Sequence, residues 1–347
     1  MKKRIAVLFG GNSTEYEVSL QSAYSVLKNI DKEKYEVIPV GITREGEWYH
    51  YTGAYSHIED NTWINDVEHI FPIVVSQSRL DKSLIQFSNE HCEMIKIDLA
   101  FPILHGKNGE DGTLQGLFEL AGIPVIGCDT LSSALCMDKD RAHILVQAMG
   151  IAVPKGIAFK QWEKEEALLK IDKNLTYPMF VKPIRSGSSF GITKVNEKLQ
   201  LEKAVEVAFQ YDDEVIVEEA IDGFEVGCAI LGKEELIVGR VDEIELSGGF
   251  FDFTEKYTLQ SSKIHMPARI DKDTEKRIQE TAKVIYKALN CSGFARVDMF
   301  LTKQNEIVFN EVNTIPGFTT HSRYPNMMKG AGLSFSDILD KLIGLYE

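Results

Sequence analysis

Gly293-Phe294-Ala295-Arg296-Val297-Asp298-Met299-Phe300 and Ile307-Val308-Phe309-Asn310-Glu311-Val312-Asn313-Thr314 are two neighbouring runs rich in β-branched and aromatic residues. This composition is typical of β-strands, and the polar segment from Thr302 to Glu306 between them suits a hairpin turn. We therefore predict that the two runs pair as a β-hairpin. Within each run, residues two positions apart lie on the same face of the strand.

Four polar side chains share one face of this predicted hairpin: Arg296, Asp298, Glu311 and Asn313. In either plausible register, opposed or diagonal residues lie about 5 to 8 Å apart, which lets Asp298 and Glu311 converge on a cation. A solvated outer face is the alternative for each residue alone, but Asp, Glu and Asn are poor strand residues unless something binds them. Oxygen ligands suit Mg²⁺, which takes one or two carboxylates and leaves its other positions to phosphate and water.

The composition limits the class of protein. The chain has 347 residues, 44% of them hydrophobic and 26% charged, as in an ordinary globular protein of two or three domains. Its formal net charge of −14 argues against a nucleic-acid partner, because phosphate backbones select basic surfaces. The five cysteines show no Cys-x-x-Cys spacing, so we expect free thiols in the cytoplasm. Because no apolar run reaches about 18 residues, we expect no membrane partner.

Two glycine-containing loops follow predicted buried strands in the first third of the chain. Ile5 to Phe9 leads into a glycine turn that contains Glu15, and Lys96 to Leu104 leads into the loop His105 to Thr113. Ligands gather at the carboxyl ends of parallel strands, so both loops are candidate binding segments. Each residue also has a purely structural explanation. Glu15 could belong to a loop and the N-cap of the helix that follows, and His105 could be an ordinary surface or core histidine.

A second group of features suits phosphate. Lys182 lies in the apolar run Tyr177 to Pro183, where a lysine needs an anion or a path to water. The Gly/Ser-rich loop Arg185 to Gly191 exposes successive backbone N–H groups that can bind anions, although a flexible linker is the alternative. It is not a P-loop, because the Gly-Lys-Ser/Thr motif is missing and a strand follows. Lys139 lies at the start of a predicted helix. It could bind phosphate there, or its side chain could simply be solvated.

Together these segments resemble the D-alanine–D-alanine ligase family of the ATP-grasp superfamily. The resemblance runs from Ile5 to the last residues and rests on specific motifs. They are Gly10-Gly11-x-Ser13-x-Glu15-x-x-Val18-Ser19, the His-Gly-x-x-Gly-Glu-Asp-Gly pattern from His105 to Gly112, Arg296-x-Asp298 and Glu311-x-Asn313.

The resemblance implies an α/β, three-domain ATP-grasp fold with a Rossmann-like N-terminal domain. We expect an N-terminal α/β substrate domain at residues 1–127 and a central ATP-grasp domain at 128–218. A C-terminal ATP-grasp domain would occupy 219–347 and contain a mobile loop at 247–262. The segment from Glu45 to Cys92 is expected to form irregular strands and loops that contribute to a homodimer contact.

The resemblance also implies roles for individual residues. ATP would convert D-alanine to D-alanyl phosphate, which the amine of a second D-amino acid attacks. Catalytic groups would be Glu15, Ser188, Tyr257, Arg296 and the N–H of Gly317. ATP would contact Lys139, Lys182, Ser189, Glu218, Glu219, Ile221, Glu225 and Lys256. The amino acids would contact Glu15, His105, Lys256, Ser322 and Arg323, and two Mg²⁺ ions, or Mn²⁺, would bind Asp298, Glu311 and Asn313.

The second substrate is indicated by Arg323. Ordinary D-alanine–D-alanine ligases have a segment similar to His-Ser-Leu at this place. This sequence has His321-Ser322-Arg323-Tyr324-Pro325, which resembles the segment of vancomycin-resistance relatives. An arginine there favours an added hydroxyl group, and the Lys256-Tyr257 pair, which lactate-forming relatives lack, indicates D-serine. We therefore predict a D-alanine–D-serine ligase in which Phe251 or Phe253 also shapes the pocket.

Three alternatives stay open from the sequence. The protein could be a housekeeping D-alanine–D-alanine ligase, or a non-catalytic nucleotide-binding regulatory protein on the same fold. Arg323 could also turn outward and pair with an acidic residue. Glu219 stands where many relatives carry lysine, a departure that concerns the recognition of the nucleotide.

Overall fold

Three β-sheets organise the chain, and helices pack against each of them. The computed structural model describes residues 2–88, 91–187, 189–246 and 262–347. Ser188, Lys256 and Tyr257 lie outside the described residues. Phe251, Phe253 and the predicted loop 247–262, apart from residue 262, lie outside them as well.

The described part of the chain contains ten α-helices. They are α1 (Tyr16–Asn29), α2 (Ser56–Glu59), α3 (Thr113–Ala121), α4 (Thr130–Met137), α5 (Lys139–Ala148), α6 (Lys164–Asn174), α7 (Lys198–Ala208), α8 (Lys272–Ala288), α9 (Arg323–Gly330) and α10 (Phe335–Gly344). Short 3₁₀ turns occur at Trp63–Asn65 and Gln161–Glu163. None of these described helices has the length and apolar character needed to cross a membrane.

The first sheet has a parallel centre and an antiparallel extension. Its strands are β1 (Lys3–Gly10), β2 (Tyr35–Ile42), β3 (Trp48–Tyr51), β4 (Ile70–Val75), β5 (Ser83–Phe87), β6 (Cys92–Lys96) and β7 (Leu99–Pro102), in the order β6-β5-β4-β3-β2-β1-β7. Strand β1 runs parallel to β2 and β7. Ile5 and Val7 pack on the side of α1, whereas Ala6 and Leu8 pack on the side of α3. Burial on both faces explains why β1 is a continuous apolar run.

The segment 45–92 is more regular than we predicted. Strands β3, β4 and β5 pair antiparallel there, and β6 begins at its end. Trp63 is fully buried and donates from Nε1 to the Tyr16 hydroxyl at 3.0 Å, which fixes the segment against α1. The predicted strand from Lys96 to Leu104 is wrong in its bounds, because Lys96 ends β6 and β7 covers only Leu99–Pro102.

The second sheet packs two helices on one of its faces. Its strands are β8 (Gly156–Lys160), β9 (Met179–Pro183), β10 (Thr193–Val195) and β11 (Glu214–Glu219), in the antiparallel order β10-β9-β11-β8. Helices α6 and α7 both pack on the face that carries Met179 and Val181. Because side chains alternate along a strand, Phe180, Lys182 and Glu218 project from the opposite face.

The third sheet carries helices on both of its faces. Its strands are β12 (Gly223–Gly232), β13 (Leu236–Leu246), β14 (Ser262–His265), β15 (Gly293–Thr302) and β16 (Ile307–Asn313), in the order β14-β13-β12-β15-β16. Helix α8 covers the face that carries Ala295, Val297 and Met299. Arg296 and Asp298 consequently point to the other face.

The C-terminal helices connect the first and third sheets. Phe318, Tyr324 and Leu339 share one hydrophobic core with Ile5 and Leu20 of the first layer. Helix α9 was not predicted, and it packs against β12 and β13. This shared core brings the loops of the first sheet close to the polar face of the third.

The three sheets follow one another along the chain at residues 3–102, 156–219 and 223–313. Strand β11 extends one residue past the predicted domain limit at 218. The domain boundaries 1–127, 128–218 and 219–347 stay a prediction.

Candidate active site

The polar hairpin of β15 and β16 has the geometry that we predicted from its alternation. Asp298 pairs with Glu311 across the strands, and Arg296 pairs with Asn313. Asp298 is only 1% exposed. It accepts hydrogen bonds from Arg296 Nε at 2.8 Å, Arg296 Nη2 at 2.7 Å and Asn313 Nδ2 at 2.9 Å. Hydrogen bonds therefore connect Arg296, Asp298 and Asn313, and Glu311 lies beside them across from Asp298.

The cluster suits a hard cation. Among the described residues, no group of three or more His, Cys, Asp and Glu side chains is arranged to hold a metal ion by itself. The predicted ligands contain two carboxylates, Asp298 and Glu311, with Asn313 beside them. A cation bound by such a set takes its other ligands from phosphate and water, as Mg²⁺ does. It also has to share Asp298 with the guanidinium of Arg296.

Lys139 lies between the hairpin and the Gly/Ser-rich loop. It begins α5, and its Nζ donates to the carbonyl oxygen of Ser186 at 2.8 Å and lies 4.0 Å from Glu311 Oε2. The solvated alternative is wrong, because Lys139 is 7% exposed. A buried ammonium at this position can serve both the loop and an anionic ligand.

Lys182 and Glu218 form an ion pair on the face of the second sheet opposite α6 and α7. Lys182 Nζ lies 2.6 Å from Glu218 Oε2, and His143 Nδ1 lies 3.2 Å from Glu218 Oε1. His143 is held in place by a hydrogen bond from Nε2 to the carbonyl oxygen of Asn310 at 2.8 Å. Burial opposes ionisation of Glu218, but the charges of Lys182 and His143 outweigh it and hold the pKa of Glu218 well below its ordinary value.

A cavity of about 560 Å³ lies between the second and third sheets. Its lining includes Phe180, Lys182, Glu218, Ile221 and Glu225. The mixture of apolar side chains, two buried lysines and carboxylates fits a large ligand with an aromatic part and an anionic part. Ser189, which adopts a φ of 61°, also lines this cavity.

A second cavity of about 300 Å³ adjoins the first. Lys139, Ser186, Glu225 and Glu311 line both cavities, so a ligand in one can reach a ligand in the other. The second cavity is lined by predicted site residues from all parts of the chain, including Glu15, His105, Arg296, Gly317, Ser322 and Arg323.

Glu15 faces two glycine-containing loops. A Cβ atom at Gly106 or at Gly187 would lie 2.8 Å from Glu15 Oε2, so glycine at both positions allows the close approach. Glu15 makes no side-chain capping hydrogen bond at the start of α1. Glu15 therefore holds the N-cap position of α1 without a capping hydrogen bond from its side chain, and it lines the second cavity.

His105 is 4% exposed and is held by the protein through both ring nitrogens. Nδ1 lies 2.8 Å from the carbonyl oxygen of Ile315, and Nε2 lies 3.3 Å from Ser22 Oγ. Burial lowers the pKa of His105, so the ring is neutral near pH 7. Its ring edge lines the second cavity, and its predicted contact with the first substrate stays a prediction.

Two family models match almost the whole chain. The family model for the D-ala D-ala ligase N-terminus matches residues 4–128, and that for the D-ala D-ala ligase C-terminus matches residues 145–344. The chain belongs to the D-alanine–D-alanine ligase family. The ligase is 46% identical to the D-alanine–D-alanine ligase of Caldicellulosiruptor bescii, covering 99% of this chain and 95% of the relative. It is also 46% identical to the vancomycin B-type resistance protein VanB of Enterococcus faecalis, covering 99% of this chain and 98% of the relative.

A solved structure, the VanG D-Ala:D-Ser ligase from Enterococcus faecalis, superposes on the ligase with a TM-score of 0.95. The two are 69% identical, and the match covers 100% of both chains. The predicted α/β ATP-grasp fold is thus confirmed. As a family member, the protein is an ATP-dependent ligase of small D-amino acids that uses ATP and a divalent metal.

Arg323 of the ligase is buried among three carboxylates. Nε and Nη2 donate to Asp242 at 2.7 and 2.8 Å, and Nη1 donates to Glu225 at 2.9 Å. Nη2 also lies 3.4 Å from Asp298 Oδ1. The side chain is 9% exposed, so the alternative in which Arg323 turns outward is wrong. Three of its five N–H groups are used by Asp242 and Glu225, which leaves at most two for Asp298 and a ligand.

Ser322 and Gly317 lie side by side at the start of α9. Ser322 Oγ accepts a hydrogen bond from Thr319 N at 3.0 Å, and it would lie 3.1 Å from a Cβ atom at Gly317. The absence of a side chain at Gly317 therefore keeps Ser322 close to the backbone of that turn. Glu219, by contrast, accepts from Thr176 N at 2.6 Å and from Thr176 Oγ1 at 2.9 Å, which gives its unusual side chain a structural role.

Sequence reasoning missed three polar residues of the ligase, the buried His143 and Asp242 and the half-buried Glu110. His143 lies four residues after Lys139 on α5, a spacing that places both on one face of a helix. Asp242 lies in the strand β13 beside Arg240, Glu243 and Glu245, so the sequence gives no signal that this one acid is fully buried. Glu110 belongs to the quoted glycine loop, but nothing in that loop indicates which backbone group it binds.

Proposed function

We propose that the protein is an ATP-dependent D-alanine–D-serine ligase that makes a cell-wall precursor dipeptide and confers vancomycin resistance. The observation that carries the proposal is the placement of Arg323 in the second cavity, beside Ser322. A guanidinium with N–H groups left over can donate to a serine hydroxyl, whereas the methyl group of D-alanine gains nothing from it. The 69% identity to the VanG D-Ala:D-Ser ligase supports the same choice.

ATP would occupy the larger cavity, with adenine near Glu218, Glu219 and Ile221 and ribose near Glu225. Lys139, Lys182 and the loop residue Ser189 would hold the phosphates. Because Lys182 already pairs with Glu218, its ammonium group would move from the Glu218 carboxylate toward the phosphates when ATP binds. The predicted contribution of Lys256 lies in a part of the chain that the structure does not describe.

Asp298, Glu311 and Asn313 would hold two Mg²⁺ ions, or Mn²⁺. When bound, these ions would neutralise the charge on phosphate oxygens. Arg296 lies against Asp298 and faces the second cavity. Its fixed position lets it act on the acyl group of the substrate without a change of rotamer.

The first D-alanine would be held by its ammonium group on Glu15. Its carboxylate oxygen attacks the γ-phosphorus of ATP, ADP leaves, and D-alanyl phosphate forms. The amine of the second amino acid then attacks the acyl carbon, loses a proton, and expels phosphate. Arg296 and the N–H of Gly317 would stabilise the tetrahedral oxyanion, and Ser322 would bind the second carboxylate. The catalytic contributions predicted for Ser188 and Tyr257 concern residues outside the described part of the chain.

The test of this function is competition between acceptors. Purified protein with ATP and Mg²⁺ is given D-alanine together with equal concentrations of D-serine and D-lactate, and the products are identified by mass spectrometry. We expect ADP release to require D-alanine and D-alanyl–D-serine to exceed D-alanyl–D-alanine. ADP release that is indifferent to D-amino acids would contradict the ligase assignment of the site, and an excess of D-alanyl–D-alanine would favour the housekeeping activity.

The housekeeping D-alanine–D-alanine ligase is the second candidate, favoured by the 46% identity to the Caldicellulosiruptor bescii enzyme. We also propose a cytoplasmic homodimer. Exposed apolar side chains, among them Leu131 and Ile144, support a contact with another protein surface. Light scattering of the purified protein measures the oligomeric state directly.

A further inference from the structure

The turn that contains Gly317 is held by the glycine loop of the first sheet. Ile315 N donates to Glu110 Oε1 at 2.8 Å, and Ile315 O lies 2.8 Å from His105 Nδ1. Both polar groups of this one residue are therefore bound by the same loop, more than 200 residues away in sequence. Gly317 follows two positions later.

A third contact holds the other side of Gly317. Phe318 N donates to Ser22 Oγ at 3.1 Å, and Ser22 Oγ lies 3.3 Å from His105 Nε2. Because Nδ1 of the neutral ring donates to Ile315 O, Nε2 must accept, so the Ser22 hydroxyl donates to it. The hydrogen bonds then form a continuous chain from Phe318 through Ser22 and His105 to Ile315.

Glu110 also connects this chain to the loop beside Glu15. Its Oε2 accepts a hydrogen bond from Gly106 N at 2.9 Å, while its Oε1 accepts from Ile315 N. Gly106 is the residue whose missing side chain lets Glu15 approach. The carboxyl group of Glu110 thus links the loop that contains Gly106 to the turn that contains Gly317.

Hydrophobic packing holds the same turn independently of these hydrogen bonds. The Phe318 ring lies 5.6 Å from the rings of Phe294 and Tyr324 and 5.3 Å from that of Phe335. This packing fixes where the turn lies, but aromatic contacts leave the rotation of a peptide plane free. The hydrogen bonds on Ile315 and Phe318 fix the peptide planes on either side of the Pro316–Gly317 peptide, because each requires a defined direction of an N–H or C=O group. The Gly317 N–H is thus held between two oriented planes.

We propose that Glu110 and Ser22 are positioning residues that orient the Gly317 N–H toward the tetrahedral oxyanion. The inference rests on the proposed role of Gly317 in the ligase reaction. An oxyanion donor acts only if its direction is set before the reaction, and loss of one such donor costs about 100- to 1000-fold in turnover. A donor that is displaced but not lost should cost less, about 10- to 100-fold.

The experiment uses Glu110→Gln and Ser22→Ala in the full-length protein. The carboxamide of Gln keeps one acceptor oxygen where Glu110 serves two backbone N–H groups, and Ser22→Ala leaves Phe318 N without its acceptor. Each variant has a matched control. Ser25→Ala removes an exposed hydroxyl group from α1, the helix that contains Ser22, and Glu119→Gln changes a glutamate of α3, the helix that follows Glu110.

Three quantities are measured for each variant: kcat and KM for dipeptide synthesis, positional isotope exchange in isotopically labelled ATP with D-alanine alone, and the urea midpoint of unfolding. Isotope exchange reports phosphoryl transfer to D-alanine and needs no tetrahedral oxyanion. We expect both variants to lose about 10- to 100-fold in kcat, with KM for ATP and the isotope exchange rate within about 2-fold of wild type. The two controls should match wild type in all three.

Two results would overturn the inference. One is a kcat within about 2-fold of wild type in either folded variant, and the other is an equal fall of dipeptide synthesis and isotope exchange. If Glu110→Gln does not fold, Ser22→Ala decides alone, since it removes only one hydroxyl. A wild-type protein that makes no dipeptide would instead contradict the proposed function, so the two failures are distinguishable.

Discussion

Arg323 and Asp242 form a buried ion pair with two hydrogen bonds, Nε to Oδ2 at 2.7 Å and Nη2 to Oδ1 at 2.8 Å. Two parallel N–H donors on one carboxylate fix the plane of the guanidinium. Nη1 also meets Glu225 and Nη2 lies near Asp298, so this one side chain contacts the carboxylates that we propose for the nucleotide and for the metal. Arg323 is therefore held rigidly in the wall of the second cavity and does not reach freely into it.

This geometry predicts how Arg323→Leu changes the choice of acceptor. Leucine cannot donate to a hydroxyl group, but it can contact a methyl group. We expect the ratio of D-alanyl–D-serine to D-alanyl–D-alanine to fall about 10- to 100-fold. The measurement is the product ratio in the acceptor competition, with Arg277→Leu on the exposed side of α8 as the control. An unchanged product ratio would show that Arg323 does not set the specificity.

The same substitution should destabilise the protein, because Asp242, Glu225 and Asp298 lose their shared cation. Removal of one partner of a buried ion pair costs about 3 to 5 kcal/mol. We expect that loss in the free energy of unfolding of Arg323→Leu, measured by urea denaturation. The double variant Arg323→Leu/Asp242→Asn should recover part of this lost stability, because it also removes the negative charge of Asp242, which is the least exposed of the three carboxylates. Equal stabilities of the single and double variants would contradict this account.

The local features of the fold were predictable, because they depend on neighbouring residues. Alternation along two short strands was enough to place Asp298 and Glu311 on one face, whereas the register that sets them opposite each other is seen only in the structure. The glycine turns after β1 and β7 were likewise visible as breaks in apolar runs. Helix α9 was missed because Pro325 suggests a helix end, yet it occupies the first turn, where the proline nitrogen needs no hydrogen-bond acceptor. The preceding Ser322 was the signal that could have identified this helix start.

The buried polar contacts were not predictable, because they depend on how the three sheets are placed. Asp242 and Arg323 are 81 residues apart, and Glu110 and Ile315 are 205 residues apart. No periodicity links such positions. The resemblance to a family identified Arg323 and His105 as site residues. It did not show that hydrogen bonds to other protein groups would use most of their polar atoms.

Glu311→Gln tests the proposed metal site. The substitution removes one negative charge with little change in volume, so binding of a divalent cation should weaken while the fold is kept. We expect the Mg²⁺ concentration for half-maximal activity to rise at least about 10-fold. Binding of Mn²⁺, followed by electron paramagnetic resonance in the presence of ATP, should weaken in parallel. Glu306→Gln in the hairpin turn is the control, and a Glu311→Gln protein with unaltered Mn²⁺ binding would place the metal elsewhere.

Lys182→Met separates binding of nucleotide from stability. The Glu218 carboxylate would lose the ammonium at 2.6 Å, so we expect a loss of about 3 kcal/mol in the free energy of unfolding. We also expect the Kd for ATP to rise at least about 10-fold, because a phosphate ligand is removed. Adding Glu218→Gln should restore stability but not ATP affinity, as measured by calorimetry. Lys198→Met, at an exposed pair with Asp172, should change neither quantity.

The last prediction concerns pH and Glu110. Burial and the charge of Glu15 raise the pKa of Glu110 to about 8, although two backbone N–H groups and Arg296 oppose the rise. The folded protein therefore keeps this proton up to about pH 8, whereas the unfolded chain loses it near the ordinary value of 4.5. Between these values the unfolded state binds fewer protons, so the free energy of unfolding falls as pH increases.

Glu110→Gln cannot titrate, so its stability should lack this fall. From pH 5 to pH 8 we expect the wild type to lose roughly 3 to 5 kcal/mol relative to the variant, at about 1.4 kcal/mol for each unit of pKa. His105 acts in the opposite direction, because its lowered pKa costs stability only below its ordinary value of 6.5. Urea denaturation at pH 5, 6, 7 and 8 measures the difference, and Glu119→Gln should keep the wild-type slope. Parallel curves for wild type and Glu110→Gln would mean that Glu110 is ionised throughout, and that its two backbone donors outweigh burial and the charge of Glu15.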